Sequence, residues 1–493
     1  MTQVEQQAGA PGRAEAGQVR RGAAARGAGL TALRRNWLAV VLLTAGLALR
    51  VLAEFAYRPA LFYVDTARYL YNNPPGMDPL GYGGVLRALT PVAGFAGVAA
   101  FQHLLGLAMA VTIYLLLLRR GTARWLAALA IAPVLLDGYQ LQIEQTIMPD
   151  TVFEALIVAG LAVLLWRPEI TWRRAAVGGV VLGASATVAQ VGEALLLPAV
   201  IFLLACGGGW RRIIGRVAVL CVAFAAPIAA YCSGSLLVTG SFFLSHTGVT
   251  SFYGRMAAAA DCATLRLLAA ERAMCPTPAQ QAHGPDWLEY DASSPVQWFY
   301  NHQNRALTDS ELASFNRAVL TQQTGRVLAA YDRDVVKLFA LTRTTSPGDT
   351  PISRWQFQTG FPYFPPWSSP AVVRAEIAQF GGGHPAVWAP ASSFLRSYQL
   401  SGGFTPGPLL AVCAVAGLVG SAALLRRRLD RRARQLALGC LLCFGSAVLV
   451  LAVSDLFEFS WRYQLPALVT LVPAGALGIG VLIALAQARR TAS

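Results

Sequence analysis

From Val92 to Leu118 the chain carries no Asp, Glu, Lys or Arg, and from Leu436 to Val453 it again carries none. Runs of this length constrain the fold more than any other feature. About 20 apolar residues in a helix cover the roughly 30 Å of bilayer hydrocarbon. Within lipid every backbone N–H and C=O must find its partner inside the protein, which for such a run means a helix. Composition agrees: 55% of the 493 residues are hydrophobic and 13% are charged, where soluble domains carry about 25% charge. The pattern predicts an all-α polytopic membrane protein of about ten spans, at 37–53, 93–118, 123–137, 152–166, 174–189, 193–206, 217–236, 406–425, 435–453 and 465–487.

The formal net charge of +15 raises a nucleic-acid reading, and its distribution argues against one. With the amino terminus inside, Arg34-Arg35, Arg119-Arg120, Arg173-Arg174, Arg211-Arg212, Arg426 to Arg428 and Arg489-Arg490 all fall on one side, and most acids fall on the other. This is the positive-inside asymmetry. The basic balance then reports topology in a plasma-membrane protein with both termini cytoplasmic, and implies the lipid bilayer as partner and no nucleic acid. Residues 1–36, rich in Ala, Gly, Gln and Arg, hold too few large apolar side chains to bury a core and are expected to form a disordered cytoplasmic tail. That long basic lead, with Arg50 inside the first apolar run, favours a retained span over a cleaved signal peptide.

Two outside segments are long. Residues 37–236 read as a transmembrane bundle that includes the first of them, 54–92. The second, 237–405, reads as a mainly helical extracytoplasmic domain, and 406–493 supply the last helices. Within the second segment Thr308-Asp309-Ser310-Glu311 has capping-box spacing, followed by apolar residues at helical period from Leu312 to Leu338. Cys262 and Cys275, 13 positions apart on the outside, are expected to form a disulfide, which an oxidising compartment permits. Cys440 and Cys443 share a helix face with no acid or His beside them and are read as packing. Several spans are short, near fifteen residues, and are expected to tuck beneath a wet cavity at the outer face.

The residues that suggest chemistry gather at outside helix ends. Asp65 sits among aromatics in the first loop, where a carboxylate can take a proton from a hydroxyl or hold a divalent cation; a solvated loop aspartate or a helix cap is the plainer alternative. Asp78-Pro79-Leu80-Gly81-Tyr82 leads into the second span. Glu144 and Asp150 precede the fourth, Glu193 lies in the fifth-to-sixth hairpin, Asp455 and Glu458 precede the last, and Arg462-Tyr463-Gln464-Leu465-Pro466 opens it. Ionisable groups at one membrane depth cost several kcal/mol unless paired or wet, so their recurrence suggests one site. Arg462 can also be read as snorkelling to the interface, His103 as an interhelical hydrogen bond, and the aromatic run Phe357 to Trp367 as either a sugar-stacking gate or an interfacial belt.

In order and placement these motifs resemble the GT-C superfamily of membrane glycosyltransferases, which includes protein O-mannosyltransferases, aminoarabinose transferases and actinobacterial arabinosyltransferases. The resemblance rests on Asp65 in the first loop, a His-Pro-x-Gly-Tyr-like motif at Asp78 to Tyr82, an acid heading the fourth span at Asp150, a Thr-Arg-x-Glu-like hairpin at Gln190 to Glu193, and Arg-Tyr-x-x-Pro at Arg462 to Pro466. The segment holding Asp261-Cys262 and Cys275-Pro276 is similar to multi-pass proteins of actinobacteria. The sequence departs from the family at Thr66, where many members have a second acid, at Asp78, where His is common, and at Val191, where the hairpin motif has its arginine. These departures leave open whether a divalent cation (Mg, Mn or Ca) is used.

The resemblance implies transfer of a sugar from a polyprenyl-phosphate donor to a glycan, protein or lipid acceptor at the outer face. In that scheme Asp65 is the general base, and Arg462, with Arg58 or Arg68, holds the phosphate. Asp78, Tyr82, Glu144, Asp150, Glu193 and Tyr463 are candidate substrate contacts. The alternatives are a transporter or flippase of a lipid-linked sugar, for which broken midplane helices and a repeat are expected, and a non-catalytic cell-envelope assembly protein. A cytoplasmic nucleotide-sugar enzyme is disfavoured, since the inside segments carry no glycine-rich phosphate loop.

Overall fold

The computed structural model describes residues 34–490 apart from 73–75, 303, 366, 367, 427 and 428. The expected tail lies outside the described residues up to position 33, as do the last two residues of the Phe357 to Trp367 run and two arginines of the Arg426 to Arg428 run.

The described residues are mostly helical. The bundle begins with α1 (Trp37–Ala56), α2 (Thr66–Tyr71), α3 (Gly81–Arg120), α4 (Arg124–Leu136), α5 (Gly138–Gln145), α6 (Asp150–Leu165) and α7 (Trp172–Ala186). A 3-10 turn, Gln190–Leu195, leads into α8 (Leu196–Cys206), and α9 (Trp210–Thr239) follows. After the insertion it resumes with α10 (Gly407–Ala422), α11 (Arg431–Phe457) and α12 (Pro466–Arg490). Helices occupy all ten expected span positions, but six of them, among the described residues, are long and apolar enough to cross a bilayer; α4 and α5, bent by 50°, would make a seventh as one broken span. The remaining expected positions hold shorter helices. Helix α6 has 16 residues, about 24 Å at 1.5 Å per residue and short of the roughly 30 Å of hydrocarbon. Helices α7 and α8 have 15 and 11. They stop where Asp150 and the Gln190–Leu195 turn meet a polar cavity.

Helix α3 starts well before its predicted span and is broken at Gly94 (φ 61°), a left-handed conformation that costs glycine little. A Cβ there would also press on the Gly381 carbonyl at 3.2 Å. Elsewhere small residues set the helix spacing: a Cβ on Gly183 of α7 would lie 2.1 Å from the Phe224 oxygen of α9, and one on Gly478 of α12 would lie 2.0 Å from the Ala416 oxygen of α10.

The insertion is a cap of helices with its own core, in which Tyr253, Met256, Leu288, Leu312 and Phe315 pack together. Cys262 and Cys275 are disulfide-bonded within it, with a Cα–Cα distance of 6.1 Å. Its helix Arg305–Gln322 begins a turn earlier than the capping box predicts. Asn304 caps it by accepting from the Ala306 N–H at 2.9 Å, and the Thr308 hydroxyl donates back to the Asn304 carbonyl at 3.2 Å. Several contacts tie the cap to the bundle. Tyr57–Arg58 pairs antiparallel with Ala386–Val387. Arg255 reaches Asp334 and donates to the Asp455 carbonyl of α11 at 3.0 Å. The Trp461 indole donates to the Thr344 carbonyl at 2.9 Å.

Candidate functional site

Asp65 immediately precedes α2, yet its carboxylate does not cap that helix. It turns to two arginines instead: Oδ2 lies 3.1 Å from Arg462 Nη1, and Oδ1 lies 3.2 Å from Arg68 Nη1. Arg462 stands in the turn before α12, with its side chain 8% exposed, and its Nε donates to Asp150 Oδ1 at 2.7 Å. Asp150 opens α6, where the positive helix terminus also favours a carboxylate. Arg68 reaches Asp78 Oδ2 at 3.7 Å and lies over the Tyr290 ring at 5.0 Å. Residues nearly 400 positions apart thus share one chain of charge, Asp78–Arg68–Asp65–Arg462–Asp150. Such charges are costly to bury singly and persist when each has a partner.

The cluster forms a wall of a cavity of about 540 Å³ between the ends of α6, α11 and α12, the 190–195 turn and the insertion. Asp78, Asp150, Glu193, Arg462 and Tyr463 line it directly, while Asp65 and Arg68 stand behind through their ion pairs. The rest of the lining includes Val191, Val453 and Phe457, which give it an apolar side among the helix ends. A second group adjoins the cluster: Arg354 donates to the Tyr63 hydroxyl at 3.0 Å and pairs with Asp286 at 3.3 Å.

Burial raises the pKa of three carboxyls around the cavity. Asp78 is pushed up to about 6 by burial, partly offset by Arg68. Burial pushes Glu289 up to about 7 although Ser251 donates to it at 2.6 Å. Glu458 is raised well above the usual carboxylate range, first by burial and then by Asp286 and Glu289.

Four residues named from the sequence lie elsewhere. Glu144 is fully buried inside the bundle, where Arg50 pairs with it at 2.7 Å and His103 Nδ1 at 3.0 Å. The bend after α4 turns α5 inward and carries Glu144 away from the cavity. Tyr82 is also fully buried and donates to Gln102 Oε1 at 2.7 Å, and Gln102 in turn donates to the Glu144 carbonyl at 2.8 Å. Both residues serve an internal network that anchors α5, and His103 makes the interhelical contact read from the sequence. Arg58 is exposed on the Tyr57–Arg58 strand and packs over Phe55 at 4.8 Å. Asp455 faces inward too, accepting from Gln464 at 2.7 Å.

Glu154, Glu289 and Tyr290 line the cavity and were not singled out from the sequence. Glu154 carried a readable signal: an acid inside an apolar helix, four residues after Asp150 and so on the same face. Glu289 and Tyr290 carried none, since only the folding of the insertion brings them to Asp78. Among the described residues no three His, Cys, Asp or Glu side chains are grouped to hold a metal ion, and Arg462 pairs with one oxygen each of Asp65 and Asp150.

Fold and site together define a helical polytopic membrane protein with an ion-paired, carboxylate-rich cavity where bundle and insertion meet. No family model matches the chain, and no curated protein does. Among solved structures it is similar to the S. cerevisiae protein O-mannosyltransferase Pmt1-Pmt2 complex bound to the sugar donor, at 16% identity and a TM-score of 0.33, over 45% of this chain and 36% of that one. It is also similar to the archaeal oligosaccharyltransferase AglB from Archaeoglobus fulgidus in complex with an inhibitory peptide and a dolichol-phosphate, at 14% identity and a TM-score of 0.43, over 94% of this chain and 52% of that one. The matched regions span about half or less of those chains.

Proposed function

We propose that this chain is an integral-membrane glycosyltransferase of the GT-C kind, taking its sugar from a polyprenyl-phosphate donor and passing it to a hydroxyl of a glycan, protein or lipid acceptor. The cavity faces the extracytoplasmic side of the plasma membrane, and both termini are cytoplasmic. The observation that carries this reading is the meeting of Asp65, Arg68, Asp150 and Arg462 in one ion-paired cluster beside a cavity with an apolar side.

The chemistry follows from what each group can do. Val191, Val453 and Phe457 offer the isoprenoid chain an apolar wall within the cavity. The donor phosphate takes charge-assisted hydrogen bonds from Arg462, with Arg68 adding charge. Phosphate and Asp65 compete for the same two guanidiniums, so donor binding frees the Asp65 oxygens. The acceptor oxygen then attacks the anomeric carbon. A new C–O bond forms, the bond from the anomeric carbon to the phosphate oxygen breaks, the acceptor proton passes to Asp65, and polyprenyl phosphate leaves with the bonding pair, its charge held by Arg462. No step runs through a metal ion.

The test is sugar release from a panel of radiolabelled polyprenyl-phosphate sugars by membranes carrying wild type or Asp65→Asn at matched expression. A positioned base is worth about 10² to 10⁴ in rate, so the variant should release sugar at least a hundredfold more slowly. Equal release would remove Asp65 from the chemistry, and no release with any donor and added acceptor would remove the glycosyltransferase reading.

A further inference from the structure

A second cavity, of about 740 Å³, lies away from the charged cluster and shares no lining residue with the first. Helices α4 and α10 both pack on α12. The cavity is a groove between them, floored by Val472, Ala476 and Ile479 of α12, with Ala130 and Ala132 of α4 on one wall. Its rim is exposed at Trp125, Leu129, Leu409 and Val412. Val412 is 56% exposed, and Val415, one turn along the same face of α10, is 63% exposed, so the groove is continuous with the surface a membrane span presents to lipid. Asp137 and residues 401–405 line its polar end. The Asp137 carboxylate is already held there by Arg343 at 2.8 Å and by the Thr405 and Tyr139 N–H groups at 2.7 and 2.9 Å. Beside that end, the insertion helix Ala389–Leu400 packs on α1 and, with Trp388 before it, exposes Trp388, Phe394 and Leu400, as a helix at a membrane interface does. Tyr398 of this helix lines the groove and donates to the Leu136 carbonyl at 2.5 Å.

An apolar groove open along a membrane span borders hydrocarbon chains. Left empty, its walls forfeit their dispersion contacts, and a chain that enters restores them. We propose that this groove binds one acyl chain of a zwitterionic phospholipid from the leaflet on the insertion's side. Length agrees: Trp125 to Leu136 covers about 16 Å of α4 at 1.5 Å per residue, and one leaflet supplies about 15 Å of hydrocarbon. Charge selects the lipid. Among the described residues no Lys, Arg or His lines the groove, so a polyprenyl phosphate seated here would bring its anionic head to Asp137 with no lining cation to receive it. A zwitterionic head needs no counter-charge and rests in the interface beside Trp388 and Tyr398. The proposal rests on the membrane placement of α4, α10 and α12 and not on the transfer reaction.

Native mass spectrometry tests this on the full chain, reconstituted in palmitoyl-oleoyl phosphatidylcholine and re-extracted in dodecyl maltoside. Wild type should retain one phosphatidylcholine per chain. Ala132→Phe, which fills the groove from α4, and Val412→Trp, which covers it from the rim, should each lower retention about tenfold, with gel-filtration elution and helical circular dichroism unchanged. Val415→Phe, on the lipid-facing surface outside the groove, should retain as much as wild type. Undecaprenyl phosphate at equal concentration should not displace the bound lipid. Phosphatidylcholine carrying a diazirine at the end of one acyl chain should label residues 125–130 or 476–479, at the far end of the groove from Asp137. No lipid retained by wild type, or wild-type retention by both groove variants, overturns the proposal. Labelling spread evenly over the lipid-facing helices also overturns it, and displacement by undecaprenyl phosphate overturns the choice of an acyl chain.

Discussion

Arg462 makes the sharpest energetic prediction, because two carboxylates depend on it. Its side chain is 8% exposed, with Asp150 at 2.7 Å and Asp65 at 3.1 Å. Arg462→Met removes the charge, keeps an unbranched side chain, and leaves Asp150 without its partner while Asp65 retains Arg68. Breaking one side of a buried pair costs about 3–5 kcal/mol, mostly from the charge left behind. If that is the origin of the loss, neutralising the stranded acid should recover part of it, and Arg462→Met with Asp150→Asn should be more stable than the sum of the single losses by about 1–3 kcal/mol. Asp430→Asn is the control. Asp430 caps the far end of α11 by accepting from the Ala433 N–H at 2.6 Å, so its loss should add to that of Arg462→Met within about 0.5 kcal/mol. Reversible unfolding in mixed dodecyl maltoside and SDS micelles measures all of these on purified protein. Additive losses for Arg462 and Asp150 would refute the account, and the arginine would then be an interfacial anchor whose neighbours do not need it.

Further expectations concern pH, packing and the insertion. Glu289, 5% exposed, holds its proton up to about pH 7 in the fold, against about 4.5 unfolded. Between those values the native state binds more protons than the unfolded one, so its contribution to stability falls as pH rises, by up to about 3 kcal/mol; unfolding of Glu289→Gln from pH 4 to 8 should lack that part of the slope. Gly478→Val should destabilise the α10–α12 contact by more than about 2 kcal/mol, because its Cβ would fall 2.0 Å from the Ala416 oxygen; thermal unfolding followed by tryptophan fluorescence measures this. Replacing Cys262 and Cys275 by Ala opens a loop of 13 positions and should cost the insertion about 3 kcal/mol, read as faster limited proteolysis of 240–406 with the bundle intact.

Much of the architecture was legible in the sequence because it is set by local rules. Apolar runs without charge must become helices in lipid, whatever surrounds them, and helices stand at each of the ten expected positions. What those runs could not reveal is how far each helix extends. The loss of full spans at α6, α7 and α8, the bend after α4 and the break at Gly94 depend on which polar residues meet a cavity and which backbone, such as that of Gly381, packs alongside. For the site, residue types at outside helix ends pointed to Asp65, Asp78, Asp150, Glu193, Arg462 and Tyr463, since charge near a bilayer is costly enough to be conspicuous. The same rule gave equal weight to Glu144, Tyr82 and Arg58. Only the tertiary structure separated them, by turning α5 inward so that Glu144 meets Arg50 and His103, and by folding the insertion over the bundle so that Glu289 and Tyr290 complete the cavity. The sequence by itself determines which groups must be kept from lipid; which of them face each other across a cavity is decided by long-range packing between segments up to 400 residues apart.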